Sequence, residues 1–150
     1  MIDKTNKKIL SILQKNARTT NAEIARQIGK APSAILERIR KLENKGIIKG
    51  YETRVDPDIL EMGLTAFTFV SVEEAVGSTD SGLLLSRIPG VLEVHYCAGQ
   101  DNYLVKIRAR DTSTLADMLA LIGQIPTVRD TNSTIVLRTV KESTALPIED

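Results

Sequence analysis

The 150 residues are 42% apolar, enough for a packed core in one domain or two small ones. The formal net charge of +1 hides an asymmetry: residues 1–54 hold 13 cations and 5 anions (+8), and residues 55–150 hold 7 cations and 14 anions (−7), so only the first part suits a polyanionic partner. One cysteine excludes an internal disulfide, the absence of metal-binding or catalytic motifs predicts no metal, cofactor or enzymatic activity, and the lack of a long apolar run predicts a cytoplasmic protein without a membrane span.

The N-terminal region has the features of two short helices. Ile9 and Leu13 belong to an apolar series with helical spacing, which predicts a first helix from Asp3 to about Asn16. The run Thr20-Asn21-Ala22-Glu23 has the form of a capping box, which predicts the start of a second helix. Gly29 is suited to end it, because glycine readily takes the left-handed conformation found after helices.

A third helix is predicted from Pro32 to Lys45, and it is basic. Its apolar residues, Ile35, Ile39 and Leu42, form one stripe, and three of the seven residues beside that stripe are cationic. A basic helix alone is more often only a solvated surface. Here it follows a capped helix and a tight glycine turn, and this combination indicates a helix-turn-helix whose last helix enters the DNA major groove.

The residues expected to contact DNA lie on and around this third helix. A short strand or wing is also predicted from Ile47 to Val55. The candidate contacts are Lys30, Ser33, Leu36, Glu37, Arg38, Arg40 and Lys41, with Lys49 and Arg54 as phosphate contacts from the wing. For Arg38, a bridge to a phosphate or to Glu43 is an alternative to reading a base.

The hydrophobic period changes after Asp56-Pro57-Asp58. This change predicts a DNA-binding domain at 1–54, a linker at 55–63 and a second domain at 64–150. The second domain is expected to contain strands at 64–73, 91–98, 103–109 and 132–140, with helices at 80–88 and 112–125. The order βαββαβ is that of the ferredoxin-like split unit, so the chain as a whole is of the α+β class. One face of its sheet would lack helices, and an apolar face of that kind predicts a dimer.

This organisation resembles the Lrp/AsnC family of amino-acid-responsive transcription regulators over nearly the whole chain. The residues that carry the resemblance are Ile9 to Gln14 and Asn16 to Arg18, Glu23 to Ala25, Ser33 with Arg38 to Tyr51, and in the second half Ile88 to Val91, Gly99 to Leu104 and Ile125 to Val128. The chain departs from the family pattern at Lys30 and Ala31, where the family usually has an apolar residue and then a serine. The third helix therefore lacks a side-chain N-cap, worth about 1 kcal/mol.

The resemblance implies a winged helix-turn-helix followed by a ferredoxin-like regulatory (RAM) domain, which would bind an amino acid and form homodimers that assemble to octamers or larger. The effector contacts that it suggests are Gly99, Gln100, Asp101 and Tyr103, with Thr131 and Ser133 as further contributors from the last strand. Without the resemblance, Gly99 to Asn102 would be read as good turn chemistry alone. Two alternatives stay open, a stand-alone amino-acid sensor and a DNA-architectural protein without a specific operator.

Overall fold

The computed structural model describes residues 2–99 and 101–148, and these form two compact units. The first unit comprises the residues up to Arg54 and the segment from Lys141 onward, and the second comprises Val55–Val140. The sequence had placed the C-terminal segment in the second domain and residues 55–63 in a linker. The structure groups the C-terminal segment with the first unit, because Gln14 and Arg54 both bond to it.

The first unit contains three helices: α1 (Lys4–Lys15), α2 (Asn21–Ile28) and α3 (Pro32–Asn44). The predicted capping residue of α2 is confirmed, since the Thr20 hydroxyl accepts the Glu23 N–H at 3.2 Å. At α3 the N-cap is Ala31, and no side chain caps the helix. The buried core of the unit consists of Ile9, Ile24, Ala25, Ile35, Ile39 and Leu42, with Leu13 and Ile28 partly buried against it.

The predicted strand at 47–55 is wrong, because residues 47–63 contain no strand. Gly46 has a positive φ of 65°, which turns the chain back at the end of α3. The N–H groups of Ile47 and Ile48 then both donate to the Leu42 carbonyl, at 2.9 and 3.2 Å. These bonds fold the segment onto the helix end instead of extending it.

The second unit has the predicted βαββαβ order. Its elements are β1 (Leu64–Val72), α4 (Asp80–Leu85), β2 (Val91–Tyr96), β3 (Tyr103–Ala109), α5 (Thr112–Gly123) and β4 (Val128–Val136). The four strands form one antiparallel sheet in the order β2-β3-β1-β4. The last strand begins and ends four residues earlier than predicted, because it pairs with β1 as far as Val72 opposite Val128. No helix in the described part of the chain is long and apolar enough to cross a membrane.

The helix-facing side of the sheet forms the core of the second unit. Its buried residues are Ala66, Val70, Leu85, Tyr103, Val105, Ile107, Ala109, Leu115, Met118, Ile122 and Ile125. The strand residues that alternate with these face away from the helices, on what we call the open face. It includes Thr65, Phe67, Phe69, Glu93, His95, Leu104, Lys106 and Arg108.

The open face is mixed and not uniformly apolar, which corrects the sequence-based expectation. Tyr103 and most of the strand valines that suggested an apolar surface point toward the helices and are used in the core. In their place, Lys106 lies 3.4 Å from Glu93, and Glu93 lies 3.0 Å from His95. The apolar residues of this face are Phe67, Phe69 and Leu104, with Val136 opposite Thr65 on β4.

Replacing Gly82 by alanine is expected to destabilise the second unit by about 1–3 kcal/mol, the usual range for overpacking a core. A Cβ at this position would lie 2.7 Å from the Tyr103 ring, and both residues are buried. Gly123→Ala is the matched control, because Gly123 is also helical but has nothing within 4 Å of its Cβ position. Urea unfolding should show a lower midpoint for Gly82→Ala only, and equal midpoints would contradict the packing.

Candidate nucleic-acid interface and effector site

The outer face of α3 is exposed along its length, on the side opposite its buried stripe. The exposed residues include five of the predicted DNA contacts: Ser33, Leu36, Glu37, Arg40 and Lys41. Glu37 and Lys41 form an ion pair at 2.6 Å, and the hydrogen bond from Lys41 lowers the pKa of Glu37. Within the described residues, Arg40 has no ion-pair partner. Its guanidinium is therefore available to a base edge or a phosphate.

Arg38 lies beside this exposed surface and is only partly exposed. It donates to the Asp3 carboxylate at 2.7 Å and to the Asn6 side-chain oxygen at 3.0 Å, so it ties α3 to the start of α1. The hydrogen bond from Arg38 to the Asp3 carboxylate is also the main reason that the pKa of Asp3 is lowered. The Arg38 side chain is therefore already bonded within the unit, and its contact with DNA stays a prediction.

The three flanking cations have different environments. Lys30 and Lys49 are exposed, and Lys30 directly follows the left-handed Gly29 that ends α2. Arg54 instead donates to the backbone carbonyl of Glu142 at 3.3 Å and lies 3.6 Å from its carboxylate. Arg54 therefore has an intramolecular partner 88 residues further along the chain.

The candidate effector turn before β3 is attached to the end of β1. Gly99 has a φ of 148°, and no heavy atom lies within 4 Å of its Cβ position. Gln100 lies outside the described residues. The Asp101 carboxylate accepts a hydrogen bond from the Ser71 hydroxyl at 2.6 Å, and the Asn102 side chain accepts the Val72 N–H at 2.8 Å. The turn is thus held by two side-chain bonds that sequence reasoning did not identify.

Tyr103 is a core residue and not a surface contact. It is 1% exposed, and its hydroxyl donates to Glu74 at 2.6 Å. Burial and this bond to a carboxylate raise the pKa of Tyr103 to about 12. Glu74 also accepts from the Ser81 hydroxyl at 2.7 Å, and that hydroxyl lies 2.7 Å from Thr127 Oγ1. Tyr103 therefore joins the beginnings of β3, α4 and β4 and cannot contact a ligand at the surface.

Thr131 and Ser133 lie on the helix-facing side of β4. In the register with β1, Thr131 is opposite Val70, and Ser133 is opposite Thr68, to which it is hydrogen-bonded at 2.8 Å. Asp101 is bonded to Ser71, which belongs to the opposite face of the sheet. The structure therefore does not bring Asp101 together with Thr131 and Ser133 on one face of a single chain.

Replacing Tyr103 by phenylalanine is expected to destabilise the second unit by about 1–2 kcal/mol at neutral pH, because Glu74 loses a hydrogen-bond donor. Burial alone raises the pKa of Glu74, but hydrogen bonds from Tyr103 and Ser81 outweigh it and leave the pKa below its ordinary value of 4.5. Stability that depends on the ionised carboxylate is therefore present above pH 4.5 and lost as the pH falls through the lowered pKa. In urea unfolding, the difference in the free energy of unfolding between wild type and Tyr103→Phe should become smaller as the pH is lowered. A difference that stays constant would contradict this role for Glu74.

A helix-turn-helix with an exposed basic reading helix, in one chain with a βαββαβ unit, defines a DNA-binding regulator with a regulatory domain. The protein-family model for winged helix-turn-helix DNA-binding domains matches residues 2–49. The family model for the Lrp/AsnC ligand binding domain matches residues 65–146. The chain belongs to the Lrp/AsnC family of transcriptional regulators.

Relatives and solved structures agree over almost the full length. The chain is 39% identical to the HTH-type transcriptional regulator FL11 of Pyrococcus horikoshii, across 99% of this chain and 97% of that protein. It is 30% identical to the leucine-responsive regulatory protein of Escherichia coli, across 99% and 92%. A transcriptional regulator from Neisseria meningitidis in complex with L-methionine superposes with a TM-score of 0.91, at 31% identity and 98% and 97% coverage.

Proposed function

We propose that this protein regulates transcription by reading a specific duplex with α3 from two chains, and that an amino acid bound by the second unit changes its operator affinity. The observation that carries the proposal is the exposed outer face of α3, where Arg40 is unpaired within the described residues. That face belongs to a chain whose other half matches a ligand-binding domain. The proposal contains no catalytic step.

The reading surface that we assign is narrower than the one predicted from the sequence. Base edges would be contacted from α3, with Arg40 as the main side chain because arginine can bond a guanine with two parallel hydrogen bonds. Ser33, Leu36, Glu37 and Lys41 complete this surface, while Lys30 and Lys49 contact phosphates. One recognition helix covers a single half-site, so two chains would bind two half-sites spaced by whole turns of the duplex.

We assign assembly to the second unit. We take residues 64–140 as the assembly domain and residues 1–54 as the DNA-binding domain. Two open faces would pair through Phe67, Phe69 and Leu104, because an apolar patch in the middle of a helix-free sheet face favours association. The helices α4 and α5, which cover the other face of the sheet, carry three exposed leucines that would support further assembly toward an octamer: Leu83, Leu84 and Leu121.

The effector that we propose is a free amino acid, with methionine as the first candidate. The Neisseria meningitidis relative and one from Mycobacterium tuberculosis have each been solved with L-methionine. Asp101 uses one carboxylate oxygen to accept from Ser71, so it keeps acceptor capacity for an ammonium group. Backbone donors of the turn from Gly99 would bind the ligand carboxylate. Since Thr131 and Ser133 lie on the other face, they would take part only from a neighbouring chain.

The experiment is calorimetry of wild type and Asp101→Ala with the amino acid that most raises the melting temperature. Loss of a charged partner from the ligand ammonium should weaken binding at least about tenfold. Asp117→Ala is the matched control, since Asp117 is an exposed carboxylate on α5 with no assigned role. Equal affinities for all three proteins would show that Asp101 is only a turn residue.

A stand-alone sensor and a DNA-architectural protein are the competing functions. Retention on random duplex DNA would argue against a pure sensor, because a sensor has no need of a domain with a net charge of +8. An architectural protein would bind random and genome-selected duplexes with nearly equal affinity, whereas specific regulators bind their sites about 10³–10⁷ times more tightly.

A further inference from the structure

The C-terminal segment is bound by the first unit through a glutamine of α1. The Gln14 side-chain nitrogen donates to the Leu146 carbonyl at 2.9 Å, and the Leu146 N–H donates to the Gln14 side-chain oxygen at 2.7 Å. The two bonds reproduce the pair that a neighbouring strand residue would make with a backbone. A primary amide suits this contact because it presents a donor and an acceptor side by side.

A second contact holds the same segment four residues earlier. Arg54 donates to the carbonyl of Glu142 at 3.3 Å, and its guanidinium lies 3.6 Å from the Glu142 carboxylate. Between the two contacts, the N–H of Ala145 donates to the Ser143 hydroxyl at 3.1 Å, which constrains the chain locally. The segment from Glu142 to Leu146 is thus attached at both ends, to two residues that lie 40 positions apart in the sequence.

These contacts change the assignment of the segment. The ligand-binding family model extends through residue 146, and sequence reasoning also placed these residues in the second domain. By its contacts, however, the segment from Lys141 belongs to the unit that contains the helix-turn-helix. The chain therefore connects the two units twice, once after Arg54 and again after Val140.

We propose that residues 141–148 form a strap, clasped by Gln14 and Arg54, through which the second unit controls the DNA-binding unit. Residues 137–140 join the strap to β4, the strand that carries Thr131 and Ser133, so the proposed route from β4 to α1 runs along the backbone. This control rests on the proposed function, because it requires two states of the second unit that an effector distinguishes. The clasp itself does not depend on that function.

Hydrogen exchange at the Leu146 amide of the full-length protein tests the clasp. Gln14→Ala removes the acceptor for this N–H, so its exchange should become about five times faster, the effect of losing one ordinary hydrogen bond. Gln124→Ala is the matched control, since Gln124 is an exposed glutamine at the end of α5. Unchanged exchange at Leu146 in Gln14→Ala would overturn the clasp.

Duplex binding with and without the effector tests the control. Gln14→Ala and a chain ending at Val140 should bind the amino acid as wild type does, but their duplex affinity should respond to it much less. A full response in the shortened chain would overturn the strap's role while leaving the proposed function intact. If the duplex affinity of the wild type did not change with the amino acid, the strap's role and the proposed function would both be overturned. The exchange rate at Leu146 would still decide whether the clasp exists.

Discussion

Replacing Phe69 by aspartate is expected to give a monomer whose operator affinity is at least about 100-fold lower, or about 2.8 kcal/mol. Phe69 lies on the open face with 40% of its surface exposed, next to Leu104 in the register of β1 and β3. Pairing two such faces would bury the new carboxylates without a partner, which costs several kcal/mol. A monomer carries one recognition helix and would lose the contacts of the second half-site.

Sedimentation and duplex titration of the same preparation measure both effects. Ile59→Asp is the control, because Ile59 is 78% exposed and lies before β1, outside the sheet. It should remain dimeric and bind the operator as wild type does. A dimeric Phe69→Asp protein with unchanged operator affinity would rule out the open face as the dimer interface.

Replacing Arg40 by alanine is expected to weaken operator binding by about 1–3 kcal/mol and to relax the preference at one base position. Arg38→Ala is an unusually close control, since it is the same change two residues earlier in the same helix. Because Arg38 is bonded to Asp3 and Asn6, its loss should lower the stability of the first unit without changing which base is preferred.

Binding to a set of operator variants, each with one base pair changed, separates these outcomes. Lys49→Ala should weaken the binding of every duplex alike. It should also reduce the salt dependence of the Kd by the amount expected for about one phosphate contact. If Arg38→Ala relaxed base preference and Arg40→Ala did not, the assignment of the α3 faces would be wrong.

The parts of the fold that follow from local signals could be predicted from the sequence. The helix bounds depend on capping and on apolar spacing, as at Thr20 and along the stripe of α3, and both act within a few residues. The βαββαβ order followed from alternation and turn residues for the same reason. The beginning of β4 was missed because pairing with the end of β1 decides it, and that pairing is not a local property.

The candidate sites were less predictable because their residues are fixed by distant partners. Arg38 is bonded to Asp3, 35 residues earlier, which its position in α3 did not indicate. Tyr103 follows a turn that was predicted to bind a ligand, but its side chain points into the core, where Glu74 accepts a hydrogen bond from its hydroxyl. Arg54 likewise has its partner 88 residues away. In each case a polar side chain has one obvious solvent-side role and one tertiary role, and only the packing decides between them.

The most direct test of the regulatory function is a titration of wild-type protein against a genome-selected duplex, at one salt concentration, with each of the twenty amino acids present in turn. We expect one of them, with methionine as the first candidate, to change the Kd for the duplex by about 5–150-fold, the usual range of allosteric coupling. The same Kd with all twenty amino acids would contradict the proposal that this regulator responds to an amino acid.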